Sequence, residues 1–205
     1  FFLIQLGLLL RRRDWRETRV GNALQVEQGL VKSFLATLPF ALTGGQHRAL
    51  NEILIDMGQP APMARLLQGE VGSGKTVVAA AAMRVALANG FQAAIMAPTE
   101  ILAEQHYKTI SQLLGKNGTL PAAAANNHRP VAVRLLTGSL KESEKVKTRA
   151  EIAAGQVDVI IGTQAIIQES VEFAKLGLVV IDEQHRFGVL QRAALRQKGF
   201  SPHVL

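Results

Sequence analysis

The chain contains no cysteine, which excludes a disulfide framework, a thiolate metal site and a cysteine nucleophile. It also lacks a long hydrophobic run. A membrane span needs about 20 consecutive apolar residues, and no run of that length occurs. The first ten residues, F-F-L-I-Q-L-G-L-L-L, are largely apolar, but the run ends at Arg11, Arg12 and Arg13. A signal peptide carries its positive charge before the apolar run rather than after it. We therefore expect neither a signal peptide nor a membrane span.

The 205 residues are enough for one large domain, and 48% of them are hydrophobic and 19% charged. A domain of this size buries roughly 70% of its unfolded surface, so it needs no metal or disulfide for stability. The formal net charge is +7 and the sequence pI is about 10.1. Such a balance favours a polyanionic partner, but a generally basic surface explains it equally well.

Two helical stretches are predicted at the N-terminus, over residues 1–19 and Leu24–Leu38. Thr43, Gly44 and Gly45 punctuate the chain soon afterwards. The predicted division is a helical connector over residues 1–38 and a main domain over residues 39–205. Because the chain begins with Phe1, we expect it to be a segment of a longer protein whose upstream part contacts the connector.

The main domain alternates short apolar runs with longer amphipathic stretches. The predicted strands are Ala64–Leu67, Gln92–Ala97, Val131–Leu136, Val157–Ile161, Leu178–Ile181 and the start of one at His203–Leu205, and the predicted helices are Lys75–Asn89, Glu100–Leu114 and Lys141–Ala154. Alternation of this kind predicts βαβ units and an α/β fold with a mostly parallel sheet. Gly115–Pro130 interrupts the pattern and is predicted to be a surface loop.

The strongest motif is G-E-V-G-S-G-K-T, which covers Gly69, Glu70, Val71, Gly72, Ser73, Gly74, Lys75 and Thr76. It matches G-x-x-x-x-G-K-[ST] between a predicted strand and a predicted helix, which is the context of a phosphate-binding loop. Glycines let successive N–H groups face a phosphate, and the helix N-terminus adds positive potential. Lys75 is predicted to reach the β- and γ-phosphates of ATP, and the Thr76 hydroxyl to ligate Mg²⁺.

The second motif is acidic and follows the predicted strand at Leu178–Ile181. Asp182 and Glu183 stand at its end, in the run L-G-L-V-V-I-D-E-Q-H. Carboxylates at a helix N-terminus are common for electrostatic reasons alone. With a phosphate loop upstream, however, Asp182 is predicted to hold Mg²⁺ and Glu183 to activate the attacking water.

The motifs together resemble those of superfamily-2 helicases, and specifically the RecG branch-migration helicases. The resemblance is carried by D-E-Q-H-R-F-G-V-L-Q-R from Asp182, A-P-T-E-I-L-A-E-Q-H from Ala97 and L-P-F-A-L-T-G-G-Q from Leu38. It implies a RecA-like P-loop NTPase domain with a mostly parallel sheet flanked by helices and with N-terminal connector helices. A transcription-repair coupling factor is the nearest alternative, but it typically has glutamate where this chain has Gln184.

The resemblance also implies roles for individual residues. Gln46 corresponds to a glutamine that reads the adenine edge, and Gln184 and His185 correspond to residues that couple the phosphate site to a second motor domain. The positions that correspond to contacts with the nucleic-acid backbone are Pro98, Thr99, Thr137, Gly138, Ser139, Gly162 and Thr163. Helix caps and turns are the alternative explanation for these residues. Gln164 replaces the family's common histidine, which puts only details of strand contact in doubt.

The implied parent is a monomeric ATP-dependent helicase that acts on branched or duplex DNA, in the bacterial cytoplasm or in an organelle. Its hydrolysis requires arginines from a second motor domain, which are worth about 10³ to 10⁵ in rate. A wedge domain upstream and that second motor domain are the expected partners within the parent chain. A nucleotide-regulated binding module without catalysis and a basic structural DNA-binding protein are the alternatives from other functional classes.

Overall fold

The computed structural model describes residues 5–6, 21–115, 130–183 and 201–205, and its centre is a five-stranded sheet. The strands are β1 (Gln92–Met96), β2 (Val133–Leu136), β3 (Val159–Gly162), β4 (Leu176–Ile181) and β5 (His203–Val204). Their order across the sheet is β2-β3-β1-β4-β5, and every neighbouring pair is parallel. The α/β prediction is therefore confirmed, although β2 and β3 begin two residues later than expected.

Helices cover both faces of the sheet. They are α1 (Gln28–Ala36), α2 (Gly44–Met57), α3 (Lys75–Ala88), α4 (Glu100–Gly115), α5 (Glu142–Ala153) and a short 3-10 helix (Gln164–Ile167). Successive side chains of a strand point to opposite faces, and β1 shows this division. Ala93 and Ile95 join a core cluster with α1 to α4, whereas Ala94 and Met96 join another with α5 and the 3-10 helix.

Helix α3 lies at the centre of the larger cluster. Every residue from Val77 to Leu87 is buried, and the helix contacts α1, α2, α4, β1 and β4. Alanines at positions 79–82 let these neighbours approach its backbone closely. Gly74 precedes the helix with a left-handed φ of 79°, and Gly90 follows it with a φ of 76°. The predicted helix Lys75–Asn89 is thus confirmed to within one residue, because Asn89 is its C-cap.

The predicted strand Ala64–Leu67 is wrong. Ala64 makes only an isolated parallel bridge to Val204. The Arg65 N–H donates to the Val204 carbonyl at 3.0 Å, and the Val204 N–H donates to the Met63 carbonyl at 2.8 Å. The physical reason is that β5, the neighbouring strand, contains two residues and offers no longer ladder.

The predictions for the N-terminal region need two further corrections. The helix expected over Leu24–Leu38 is shorter, since α1 covers Gln28–Ala36. The helix expected over residues 1–19 lies outside the described residues except for Gln5 and Leu6, which are helical. Residues 116–129, which make up most of the predicted loop insertion, also lie outside them. None of the helices in the described ranges is long and apolar enough to cross a membrane.

Helix α2 is absent from the predicted elements, although its sequence carries two signals for a helix. Leu50, Ile53 and Met57 are buried with helical spacing. Thr43 and Gln46 form a capping box, in which each side chain accepts a hydrogen bond from the other residue's backbone N–H. This box places Gln46 in the first turn of α2.

The segment before α1 is attached to the rest of the domain by polar contacts. Asn89 accepts from the Gln25 N–H through Oδ1 at 2.8 Å and donates to the Gln25 carbonyl through Nδ2 at 2.9 Å. Leu24, Leu30 and Phe34 are buried in the same core cluster as α3. Residues 24–36 therefore pack as part of this domain's core.

His203 is fully buried and fixes the same segment to β5. Its Nδ1 accepts from the Met63 N–H at 3.0 Å, and its Nε2 lies 2.8 Å from the Asn22 carbonyl oxygen. A carbonyl oxygen can only accept, so Nε2 carries the proton and the ring is neutral. Burial lowers the pKa of His203 below its ordinary value of 6.5.

We expect His203 to make the domain less stable in acid. Between the lowered pKa and 6.5, the unfolded chain binds a proton that the folded chain excludes, so the contribution of His203 to stability falls as pH decreases through that window. One such group changes the free energy of unfolding by at most about 1.4 kcal/mol per pH unit. Urea unfolding between pH 5 and pH 7.5 measures this slope.

The variant His203→Asn keeps an acceptor near the position of Nδ1 but does not titrate, so its slope should be shallower than that of the wild type. His47→Asn is the matched control, because His47 is exposed on α2. Parallel slopes for wild type and His203→Asn would contradict the assignment.

Candidate active site

The loop from Gly69 to Thr76 curls around the side chain of Lys75. The Lys75 ammonium donates to the carbonyl oxygens of Gly69 at 2.7 Å and of Glu70 at 2.8 Å. Gly72 and Gly74 have φ values of 81° and 79°, which residues with a Cβ rarely adopt. A Cβ on Gly69 would meet the Ser73 hydroxyl oxygen at 2.6 Å. The glycines therefore allow the tight turn that the motif predicts.

Gln46 contacts this loop directly. Its Nε2 donates to the Ser73 carbonyl at 2.8 Å, and its backbone is held by the Thr43 capping box. A side chain on Gly74 would collide with the same amide nitrogen of Gln46. The structure thus brings Gln46 to the phosphate loop, and its reading of the adenine edge stays a prediction.

Asp182 and Glu183 follow β4 at the carboxyl edge of the sheet. The Asp182 N–H donates to the Met96 carbonyl at 2.9 Å, which fixes its main chain to the end of β1. Glu183 is exposed and has a φ of 51°, a conformation that costs a non-glycine residue of order 1 kcal/mol or more.

The Asp182 carboxylate has a further partner in His106, from the second turn of α4. His106 Nε2 lies 2.8 Å from Asp182 Oδ2, and the ring nitrogen is the donor because an ionised carboxylate only accepts. The hydrogen bond from His106 lowers the pKa of Asp182, with smaller contributions from the Glu183 N–H and the charge of Lys75. Asp182 is therefore ionised at neutral pH.

One cleft of about 690 Å³, a size typical of small-molecule sites, brings together side chains of the phosphate loop, of α4 and of the acidic motif. Its walls include Lys75, Thr76, His106, Asp182 and Glu183. The donor set also fits Mg²⁺, which usually takes one or two protein carboxylates together with substrate phosphates. No cluster of three potential metal ligands occurs among residues 5–6, 21–115, 130–183 and 201–205.

His106 is the site residue that sequence reasoning missed. It ends the run A-P-T-E-I-L-A-E-Q-H, but it lies 76 residues before Asp182 in the chain. The available signal was topological, since β1 and β4 are neighbours and α4 follows β1. Parallel strands direct their following segments to the same edge of the sheet.

The predicted nucleic-acid contacts follow three adjacent strands. Pro98 and Thr99 come after β1, residues 137–139 after β2, and Gly162 and Thr163 at the end of β3. Because these strands are neighbours in the order β2-β3-β1, their loops lie side by side. The Glu100 carboxylate joins two of the loops, since its Oε1 accepts from the Ser139 N–H at 3.0 Å. A hydrogen bond from the Ser139 side chain, followed by this one from its N–H, lowers the pKa of Glu100.

Several of these residues also have roles within the fold. The Thr99 hydroxyl accepts from the Leu102 N–H at 3.3 Å, as a helix cap does. Thr137 is 2% exposed, and a Cβ on the buried Gly162 would collide with the Leu136 carbonyl. By contrast, Gly138 is exposed and Thr163 is half-buried, so both are accessible for the predicted contact with a nucleic-acid backbone. Gln184 and His185 lie outside the described residues.

The chain is similar in sequence to known helicases. Residues 43–199 match the family model described as DEAD/DEAH box helicase. Over the whole chain, the sequence is 48% identical to the ATP-dependent DNA helicase RecG of Synechocystis sp. and 45% identical to that of Bacillus subtilis. The chain spans about a quarter of these relatives, 23% and 28% of their lengths.

Solved structures show the same likeness. A structure of RecG bound to a three-way DNA junction aligns with 99% of this chain and 26% of its own, at a TM-score of 0.81 and 42% identity. The UvsW helicase from bacteriophage T4, at a TM-score of 0.61, 16% identity and coverage of 89% and 61%, shows the fold alone. The chain corresponds over its whole length to a segment of the RecG helicases, and it belongs to the DEAD/DEAH box helicase family.

Proposed function

We propose that this chain is the first motor domain of an ATP-dependent DNA helicase that acts on branched DNA. The observation that carries the proposal is that Lys75 of the phosphate loop and Asp182 of the acidic motif line the same cleft. The full-length correspondence to RecG, one structure of which is bound to a three-way DNA junction, supports the choice of DNA. In this reading, the chain binds ATP and moves along DNA as part of a longer protein.

The residues of the cleft and Gln46 have separate roles in ATP binding and hydrolysis. Lys75 and the loop N–H groups bind the β- and γ-phosphates, and Gln46 selects adenine. Thr76 and Asp182 are the residues that would hold Mg²⁺, which neutralises charge on the phosphates. Glu183 accepts a proton from the water whose oxygen bonds to the γ-phosphorus, while the bond from that phosphorus to the ADP oxygen breaks.

The three loops after β1, β2 and β3 form the proposed DNA surface. They present backbone groups and small side chains, which suit contacts with phosphates rather than with bases, so sequence specificity should be low. A second motor domain would meet the cleft, with His185 and Gln184 at the contact. Residues 1–38 would connect the motor to an upstream wedge domain, and the parent would act as a monomer.

A comparison of nucleic-acid substrates tests the proposal. In a protein that continues this chain through a second motor domain, we expect forked DNA to stimulate ATP hydrolysis more than linear duplex DNA or RNA does. The 205-residue chain alone should bind ATP but hydrolyse it at least about 10³-fold more slowly, because the arginines of that domain are not part of it. Steady-state phosphate release measures the stimulation by each nucleic acid and the hydrolysis rate of the chain alone. Preferential stimulation by RNA, or fast DNA-stimulated turnover by the chain alone, would contradict the proposal.

A further inference from the structure

His106 has no role in the proposed hydrolysis of ATP, yet its side chain contacts the carboxylate on which Mg²⁺ binding depends. Its Nε2 lies 2.8 Å from Asp182 Oδ2, and their side chains are 19% and 28% exposed. Both residues line the cleft, so the contact lies in the proposed nucleotide site. A hydrogen bond at this place is sheltered from most of the competing solvent.

We propose that His106 is a positioning residue that holds the Asp182 carboxylate in the orientation required to bind Mg²⁺. The inference rests on the proposed function, because it presumes that Asp182 is a magnesium ligand. The hydrogen bond occupies Oδ2 and leaves lone pairs of the other oxygen for the metal or its water. The main chain of Asp182 is already fixed by Met96, and His106 constrains the rotation of its side chain in addition to the Glu183 N–H.

The helix that carries His106 also begins at the proposed DNA surface. Glu100, in the first turn of α4, binds the Ser139 N–H, and His106 lies six residues further along. A rise of about 1.5 Å per residue separates the two positions by roughly 9 Å along the axis. One rigid helix therefore bears both the residue that orients the magnesium ligand and the residue that joins two proposed DNA-contact loops.

Loss of a hydrogen-bond partner behind a metal ligand typically lowers metal affinity about 10- to 100-fold. His106→Asn removes the bond, because its amide is too short to reach Asp182. His106→Gln restores a donor near the position of Nε2. Gln105→Ala is the matched control, since Gln105 is the exposed neighbour on the same helix.

The measurement is binding of a fluorescent non-hydrolysable ATP analogue to the 205-residue chain during a Mg²⁺ titration, with a parallel series in EDTA. We expect His106→Asn to raise the half-effective Mg²⁺ concentration about 10- to 100-fold. His106→Gln should return close to wild type, Gln105→Ala should match it, and affinities in EDTA should agree for all four proteins.

Two results would overturn the assignment. One is an unchanged Mg²⁺ dependence in His106→Asn, and the other is an equal loss with and without Mg²⁺, which would indicate general distortion of the cleft. If His106→Asn fails to fold, as thermal unfolding would show, a failure of His106→Gln to keep the wild-type Mg²⁺ dependence overturns it instead. Lys75→Ala tests the proposed nucleotide site separately. Unchanged ATP-analogue binding in that variant would refute the nucleotide site itself. If binding is lost there, the site stands, and the His106 variants test the positioning role alone.

Discussion

Lys75→Ala should weaken ATP binding by about 100-fold or more. A hydrogen bond to a charged group is worth about 1.5–3 kcal/mol, and the ammonium is expected to make two such bonds to phosphate oxygens. The fold should persist, because the hydrogen bonds of Lys75 to Gly69 and Glu70 lie within its own loop at a site open to solvent. Fluorescence titration with an ATP analogue measures the affinity.

Lys108→Ala is the control for this loss of charge, since Lys108 is exposed on α4 and distant in sequence from the loop. It should bind ATP as the wild type does. Retention of near-normal affinity by Lys75→Ala would refute the phosphate-binding role of residues 69–76.

Glu183→Gln should leave ATP binding within a few fold of wild type and reduce hydrolysis about 10²- to 10⁴-fold, the range associated with a general base. The amide keeps the size of the side chain but cannot take a proton from water at neutral pH. DNA-stimulated phosphate release, in a protein that includes the second motor domain, measures the rate. The same variant of the 205-residue chain gives the affinity.

Glu104→Gln is a matched control, because Glu104 is an exposed carboxylate on α4. It should hydrolyse ATP at the wild-type rate. If Glu183→Gln also keeps full activity, another group accepts the proton and the role of Glu183 is wrong.

Local chemistry explains which parts of the site were predictable from sequence. The phosphate loop and its helix occupy consecutive residues, and glycine and lysine spacing alone identifies them. The pair formed by His106 and Asp182 depends on the strand order, which places the segments after β1 and β4 side by side. No periodicity in the chain reports that order, so the contact emerges only in three dimensions.

The errors have similarly specific causes. Ala64–Leu67 has the apolar character of a strand, but strand formation requires a partner, and β5 offers only two residues. Helix α2 begins with Gly44 and Gly45, which are typical of a turn, although the spacing of its capping box and of Leu50, Ile53 and Met57 was visible in the sequence. Thr99 and Thr137 illustrate a third limit, since sequence does not distinguish a hydroxyl that faces a ligand from one that serves the fold.

The two sides of the phosphate loop are anchored very differently, and this asymmetry should appear in amide hydrogen exchange. Downstream, α3 is buried from Val77 to Leu87, so its amides should exchange only when much of the core opens. Upstream, residues 64–68 have an isolated bridge and few ladder hydrogen bonds. Their amides should exchange through small local openings. Amides on the downstream side of the loop should therefore exchange slowly and those on the upstream side quickly. A bound nucleotide should slow amide exchange most on the upstream side.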